Sequence, residues 1–378
     1  IYRFCICRFR IGNQTIVAML SVGAPNSALN RQALRGFRLV SVPSPRRRAL
    51  VVNAYAAEKS VFITGGNTGI GFETAKALAS KGFNVTIACR DTAKAEAALG
   101  RIREAVPSAR LDSLPLDLSD LNSVRDCTQR VLDSGVQYDV WINNAGVMYC
   151  PKMRTAQGFE YQLGVNHLGH FALTCGVLLA LLAANKPVRI INVASAAHTF
   201  GKIDFQDLMR DKSYDPWEAY GQSKLANIMF TYELARRLGA DEGANNNSNR
   251  VTVNCLHPGI VKTELGRYML DEGSRRWYTP LIMSVMQLFM LEPHQGAATS
   301  IHLASSPEVE GVSGKYWVDC RRAASSNASY DREVAGRLWR VSEELTGVQG
   351  PPGPEGARGA GGGRVAAAAA ATGSASSS

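Results

Sequence analysis

Residues 64–71 read T-G-G-N-T-G-I-G, and their surroundings decide the fold. Upstream is a short apolar run, Val61, Phe62 and Ile63; downstream the chain turns alanine-rich with helical spacing. A strand, a glycine turn and a helix are the context in which backbone can cradle a pyrophosphate. Glycine at 65, 69 and 71 permits positive φ and keeps Cβ atoms away from a bound phosphate. The helix beyond adds unpaired N–H groups and a partial positive charge. Asn67 and Ile70 complete the loop.

Working outward, short β-rich runs alternate with helical patterns, with strands near 60–64, 84–89, 110–116, 138–143, 188–195, 250–256 and 314–318. Such alternation predicts an α/β, doubly wound parallel sheet of the Rossmann type in one domain, 58–349. The strands are apolar throughout, as in V-R-I-I-N-V at 188–193, which fits burial on both faces. Gly82 is placed to end the first helix. In such a sheet ligands sit beyond the carboxyl ends of the strands. Polar and glycine residues fall there in turn: Gly65, Arg90, Asp117, N-N-A-G at 143–146, Ser195, and Pro258-Gly259.

Tyr220 is followed four places on by Lys224, on one face of a helix expected over 217–238. Reducing a carbonyl by hydride requires a proton donor at its oxygen, and a phenol can serve. Its ordinary pKa of ~10 is high for exchange at neutral pH, so a neighbouring ammonium is expected to favour the phenolate. Ser195 would hydrogen-bond the substrate oxygen as charge develops. Read structurally instead, Tyr-x-x-x-Lys is a helix surface pair and Ser195 a strand terminator.

Together the glycine loop, N-N-A-G and Tyr-x-x-x-Lys resemble the short-chain dehydrogenase/reductase superfamily over residues 58–346. A-C-R-D at 88–91, V-N-H-L-G-H-F at 165–171, Q-S-K-L-A-N at 222–227, L-H-P-G at 256–259 and S-G-K-Y-W-V-D-C at 313–320 narrow this to a retinol-dehydrogenase-like branch. An insertion between Ser195 and Tyr220 points the same way. The branch also holds a plastid translocon dehydrogenase subunit and light-dependent protochlorophyllide reductase. The resemblance implies that Asn166 is a fourth catalytic residue anchoring a water relay, and that Lys224 also holds the nicotinamide ribose.

Cofactor choice turns on the end of the second strand. A 2′-phosphate prefers a guanidinium there, and Arg90 supplies one, so NADP(H) is expected; the adjacent Asp91 is left to cap a helix. Asp117 and Leu118 would bracket the adenine, Asn144 and Gly146 the cofactor's floor, and Val261 and Thr263 the carboxamide. Protochlorophyllide reductase ranks second among enzymes, because Ala226 stands where that enzyme carries a cysteine.

The formal charge of +10 does not indicate a nucleic-acid groove. Residues 1–57 contain nine Arg and no Asp, Glu or Lys, and 350–378 two Arg against one Glu, which leaves the body neutral. That leader has the composition of an organelle transit peptide, plastid or mitochondrial, with a disordered basic arm as the alternative. Residues 350–378 are Pro/Gly/Ala/Ser-rich and expected to be disordered. The eight cysteines show no metal spacing and read as small buried hydrophobes. Residues 161–185 carry no charge and could span a bilayer by count, but their Asn, His and Gly content favours a buried core helix. The apolar run 277–291 reads as a lipophilic pocket wall, or as a peripheral membrane contact.

Three functions compete at this level. The leading one is an NADPH-dependent reductase of a lipophilic aldehyde or ketone, reversible as an alcohol dehydrogenase. The others are a redox-sensing interaction subunit at an organelle membrane and a catalytically dead dinucleotide-binding fold. A homodimer through helices near 153–185 and 217–239 is a further expectation from the resemblance.

Overall fold

The computed structural model describes residues 59–183, 186–239, 251–259, 261 and 291–353, and separately a hairpin at 3–11 and 14–22. Within the hairpin Arg3–Ile11 pairs antiparallel with Gln14–Val22. No strand was expected in the leader, although β-branched and aromatic residues recur in both segments.

Among the described residues, the main body is built on eight strands: β1 Ser60–Thr64, β2 Asn84–Cys89, β3 Leu111–Pro115, β4 Val140–Asn143, β5 Val188–Val193, β6 Val251–Leu256, β7 Lys315–Val318 and β8 Arg321–Ala323. Their order across the sheet is β3-β2-β1-β4-β5-β6-β7-β8. The first seven run parallel, in the doubly wound order with its switch point between β1 and β4. All seven expected strands form, with ends moved by up to two residues. The eighth is an addition: β8 returns antiparallel on β7 through a tight turn in which Asp319 and Cys320 both take positive φ. Asn and Gly are the usual residues of such a turn, and without them the return strand gave no sequence signal.

Among the described residues, seven helices of eight residues or more cover the sheet: α1 Gly69–Ser80, α2 Thr92–Ala105, α3 Leu121–Ser134, α4 Gly169–Ala183, α5 Pro216–Arg237, α6 Ala298–Ser305 and α7 Arg332–Thr346. Their starts are written in the sequence. Asp91, Asp120, Asp215 and Asp331 each accept backbone N–H bonds at an N-cap, and Pro216 occupies the first turn of α5. Gly82, at φ +83°, follows α1 as expected.

Alternation along each strand divides the core. Phe62, Trp141, Ile190 and Val253 face the layer of α3, α4, α5 and α7, where Phe62 stacks on Trp141 with ring centres 3.9 Å apart. Val61, Ile63, Ile142 and Ile191 face α1, α2 and α6. The helical stretch Tyr161–Ala183 is long and apolar enough to cross a membrane, yet it lies mostly inside this core. Five of the six described cysteines are buried as well.

Residues 350–353, beyond the boundary expected at 349, make contacts with the body. Gly350 donates its N–H to the Glu343 carboxylate at 2.9 Å, and the Pro351 carbonyl accepts from Arg237 at 2.7 Å. A Cβ at 350 would stand 2.2 Å from the Trp339 indole, so the chain lies on that ring because it has no side chain there. Low-complexity composition concealed this, since the contacts come from Trp339 and Arg237, far away in sequence.

Candidate active site

The glycine loop leaves β1 through Gly65 at φ +66° and enters α1 through Gly69 at φ +55°. A Cβ at Gly71 would lie 2.2 Å from the Gly65 carbonyl oxygen, so the helix can approach the loop only as glycine. The hub is Thr64, which sequence reasoning passed over. Its hydroxyl accepts the N–H groups of Asn144 and Ala145 at 2.9 and 3.0 Å and lies 2.9 Å from His170 Nε2. His170 Nδ1 faces the Asn166 carbonyl at 3.0 Å, which can only accept. Nδ1 therefore carries the proton, and the Thr64 hydroxyl donates to Nε2. Burial holds this histidine neutral, pushing its pKa down to about 4.

Asn144 was expected on the cofactor's floor. Its amide donates back to the Thr64 and Gly65 carbonyls at 2.8 and 3.2 Å, bracing the loop. Asn143, beside it, belongs to a buried polar ladder: it donates to Thr174 and to Asn192, which in turn donates to Thr231 on α5. Gly146 opens the path to the centre, where a Cβ would stand 3.2 Å from Asn166 Oδ1 and 3.4 Å from Lys224 Nζ.

Asn166 lies in a π-helical turn, Gly164–Leu168, that precedes α4, and it is fully buried. Such turns aim a side chain that a regular helix would misplace. Its amide hydrogens go to the Val147 carbonyl and the Ser223 hydroxyl, both at 2.9 Å, and its oxygen accepts from Val147 N–H at 2.8 Å. In this structure Asn166 is thus a brace between the N-N-A-G turn and α5.

Ser195, Tyr220 and Lys224 lie near one another. Tyr220 and Lys224 sit one turn apart on α5, with Lys224 Nζ 5.7 Å from the Tyr220 ring centre. Ser195 caps a short turn after β5, its oxygen taking the Ala197 N–H at 3.2 Å, and its hydroxyl lies near enough to Tyr220 to favour the phenolate. The electrostatics differ from expectation. Burial pushes the Tyr220 phenol up to about 12, with the Ser195 hydroxyl opposing, so the residue holds its proton at neutral pH. Burial brings Lys224 itself down to about 8. Its Nζ donates to the Val193 carbonyl at 3.2 Å.

The cofactor residues are distributed along the strand ends. Arg90 is exposed at the end of β2, and Asp91 beside it is committed to capping α2 through Lys94 N–H at 3.0 Å. The Asp117 carboxylate accepts from Ser119 N–H at 2.9 Å, Leu118 is buried against Gly169, and the Asn67 carbonyl accepts from Arg101. Val261 bridges to Leu291 and packs on Gly296, close to Ile70. Thr263 and the apolar run 277–290 lie outside the described residues.

At the mouth of the site three aromatic rings were missed by sequence reasoning. Trp217 lies 5.2 Å from Tyr149, 6.5 Å from Phe200 and 6.4 Å from Tyr220, centre to centre. Tyr149 is held at φ +56° while donating its N–H to Gln162 at 2.9 Å, a backbone strain of the kind concentrated at functional sites. Phe200 is 54% exposed and rests on Gly221, the residue after Tyr220.

These parts have counterparts in known proteins. The sequence model of the short chain dehydrogenase family matches residues 59–272. The chain is 46% identical to mouse (Mus musculus) retinol dehydrogenase 14 over 300 residues, which is 77% of this chain and 86% of that protein. It is 45% identical to human (Homo sapiens) retinol dehydrogenase 13 over 294 residues, covering 78% and 86%. Among solved structures, an uncharacterised protein from Mycobacterium paratuberculosis superimposes with a TM-score of 0.60 at 34% identity, covering 78% of this chain and 96% of that one. The chain belongs to the short chain dehydrogenase family, an oxidoreductase of retinol-dehydrogenase-like sequence on a fold that binds NAD(P)(H).

Proposed function

We propose that the protein is an NADP(H)-dependent oxidoreductase that interconverts a lipophilic carbonyl and its alcohol, with Tyr220 as the acid and base. The observation that carries this reading is the meeting of Tyr220 with Ser195 at the carboxyl edge of the sheet, beside Lys224 and the glycine cradle. A nicotinamide dinucleotide fits that cradle, because Gly65 and Gly69 take positive φ and the loop is free of Cβ atoms at 65, 69 and 71. When bound it supplies the hydride.

The chain's own residues do the rest. Tyr220 holds a proton at its hydroxyl at neutral pH and stands ready to release it to a carbonyl oxygen, as reduction requires. The Ser195 hydroxyl can bond the same oxygen and fix its orientation. Lys224 contributes a positive charge next to the phenol, and it carries that charge below about pH 8. Arg90, with Asp91 withdrawn into its helix cap, supports a preference for the 2′-phosphate. The aromatic rim of Tyr149, Phe200 and Trp217 supports an apolar substrate, in keeping with the retinol dehydrogenases to which the chain is similar. The arginine-rich, acid-free leader supports an organelle address, plastid first, which an import assay with isolated plastids and mitochondria would test.

The enzymatic test uses the purified chain with NADPH or NADH and a series of retinal-like, fatty-aldehyde and quinone substrates. NADPH should bind more tightly than NADH, and Arg90→Ala should weaken NADPH by about tenfold or more while leaving NADH unchanged. Tyr220→Phe should lower turnover by roughly 10² to 10⁴ with nucleotide binding retained. Equal affinities for the two nucleotides would remove the Arg90 argument, and an active Tyr220→Phe enzyme would remove the mechanism.

A further inference from the structure

A histidine outside the catalytic set grips Ser195 from behind. His198 is 2% exposed, and both of its ring nitrogens have partners. Nδ1 lies 2.7 Å from the Ser195 carbonyl oxygen, and Nε2 receives the Ser326 N–H at 3.0 Å. A backbone amide can only donate, so Nε2 is the bare nitrogen. Nδ1 then carries the proton and donates it to the Ser195 carbonyl. Only this neutral tautomer satisfies both contacts.

The Ser326 end of the clamp is itself anchored. The neighbouring Ser325 hydroxyl is 2.7 Å from the Tyr232 hydroxyl on α5, and the Ser329 hydroxyl donates to the Ser326 carbonyl at 2.6 Å. The strap at 325–329 is thereby tied to two elements: the helix that carries Tyr220, and the turn that carries Ser195. The two residues reach the site independently, and the Ser195 oxygen is held by its own turn only through a 3.2 Å contact with Ala197 N–H. A small misplacement of an orienting group is costly to a reaction that depends on near-attack geometry.

We propose that His198 is a positioning residue for Ser195, and that its Nδ1–H tautomer, locked by Ser326, sets where the serine hydroxyl stands relative to Tyr220. This rests on reading the site as a carbonyl reductase. Nothing in the role requires His198 to touch substrate or nucleotide.

The test compares the full chain with His198→Ala, His198→Asn and His198→Gln. Turnover of an aldehyde with NADPH, NADPH affinity, and the ¹⁵N–¹H imidazole spectrum of histidine-labelled protein are measured. An Asn amide can take the place of Nδ1 and donate to Ser195; a Gln carbonyl reaches the place of Nε2 and can accept from Ser326. His198→Ala should lower kcat on the order of tenfold with NADPH affinity unchanged. Asn should restore most of that loss and Gln little, and the wild-type spectrum should show the neutral Nδ1–H ring. Rescue by Gln without Asn, unchanged kcat in His198→Ala, or an Nε2–H tautomer would each overturn the proposal. If the wild-type chain reduces no carbonyl, the functional reading fails, and the tautomer then decides the clamp independently.

Discussion

Lys224 holds its ammonium where the fold gives it little in return. It is 3% exposed, its Nζ donates to the Val193 carbonyl, and among the described residues no carboxylate pairs with it. Burial lowers its pKa from 10.5 to about 8, so at pH 7 the native state carries the charge at a cost of roughly 3 kcal/mol. The sign of the linkage follows. Between pH 8 and 10.5 the unfolded chain binds more protons than the native one, and stability rises with pH across that window. Lys224→Met should therefore abolish reduction while raising stability by about 1–3 kcal/mol at pH 7, and it should remove that rise. Urea unfolding of both proteins at pH 7 and 9.5 checks this; a Met variant less stable than wild type would contradict it. Tyr220 and Lys224 were legible because their spacing is local. Their electrostatics were not, because burial outweighs the short-range help that spacing suggests. Thr64 was in view inside the quoted motif, yet its partners Asn144, Ala145 and His170 lie some 80 to 106 residues away.

The element that most shapes the site is the stretch from Tyr161 to Ala183. Its uncharged sequence disclosed a buried helix, but not the π turn that rotates Asn166 toward Val147 and Ser223, since hydrophobic periodicity cannot register a single wide turn. Two histidines follow on this helix. His167 faces the Ser342 hydroxyl on α7 at 2.9 Å, and burial pushes its pKa down to about 3; His170, bonded to Thr64, is at about 4. Both folded values lie below the ordinary 6.5. The stability they contribute is complete above that pH and is lost as pH falls through 6.5 toward 4, because the unfolded chain takes up the protons first. Each should cost about 2 kcal/mol by pH 5. His167→Gln should reduce the proton uptake on unfolding by about one, seen as a shallower slope of unfolding free energy against pH between 6 and 4.5. The slope is informative whatever the variant's absolute stability. An unchanged slope would show that His167 does not titrate as an isolated buried imidazole.

At the scale of the whole body, the strand and helix order was readable because alternation and aspartate caps are repeated along the chain. The contacts of residues 350–353 were not. Residues 350–353 join the body through Arg237 and Trp339: the guanidinium carbon stands 4.3 Å from the indole centre, the Pro351 carbonyl accepts from Arg237, and Gly350 covers the ring. Trp339 in turn packs on Phe171 of α4 and Phe230 of α5, so the segment closes the layer behind the catalytic helix. Ending the chain after residue 349 removes two hydrogen bonds and uncovers an indole, a loss of about 1–3 kcal/mol. Ending it after 353 keeps all of these contacts. The shorter protein should accordingly melt several degrees lower and show red-shifted tryptophan emission, while the one ending at 353 should match the full chain in both. Indistinguishable melting and emission for the two truncations would mean that Gly350 and Pro351 are passengers on the surface, and that the fold closes at the end of α7 without them.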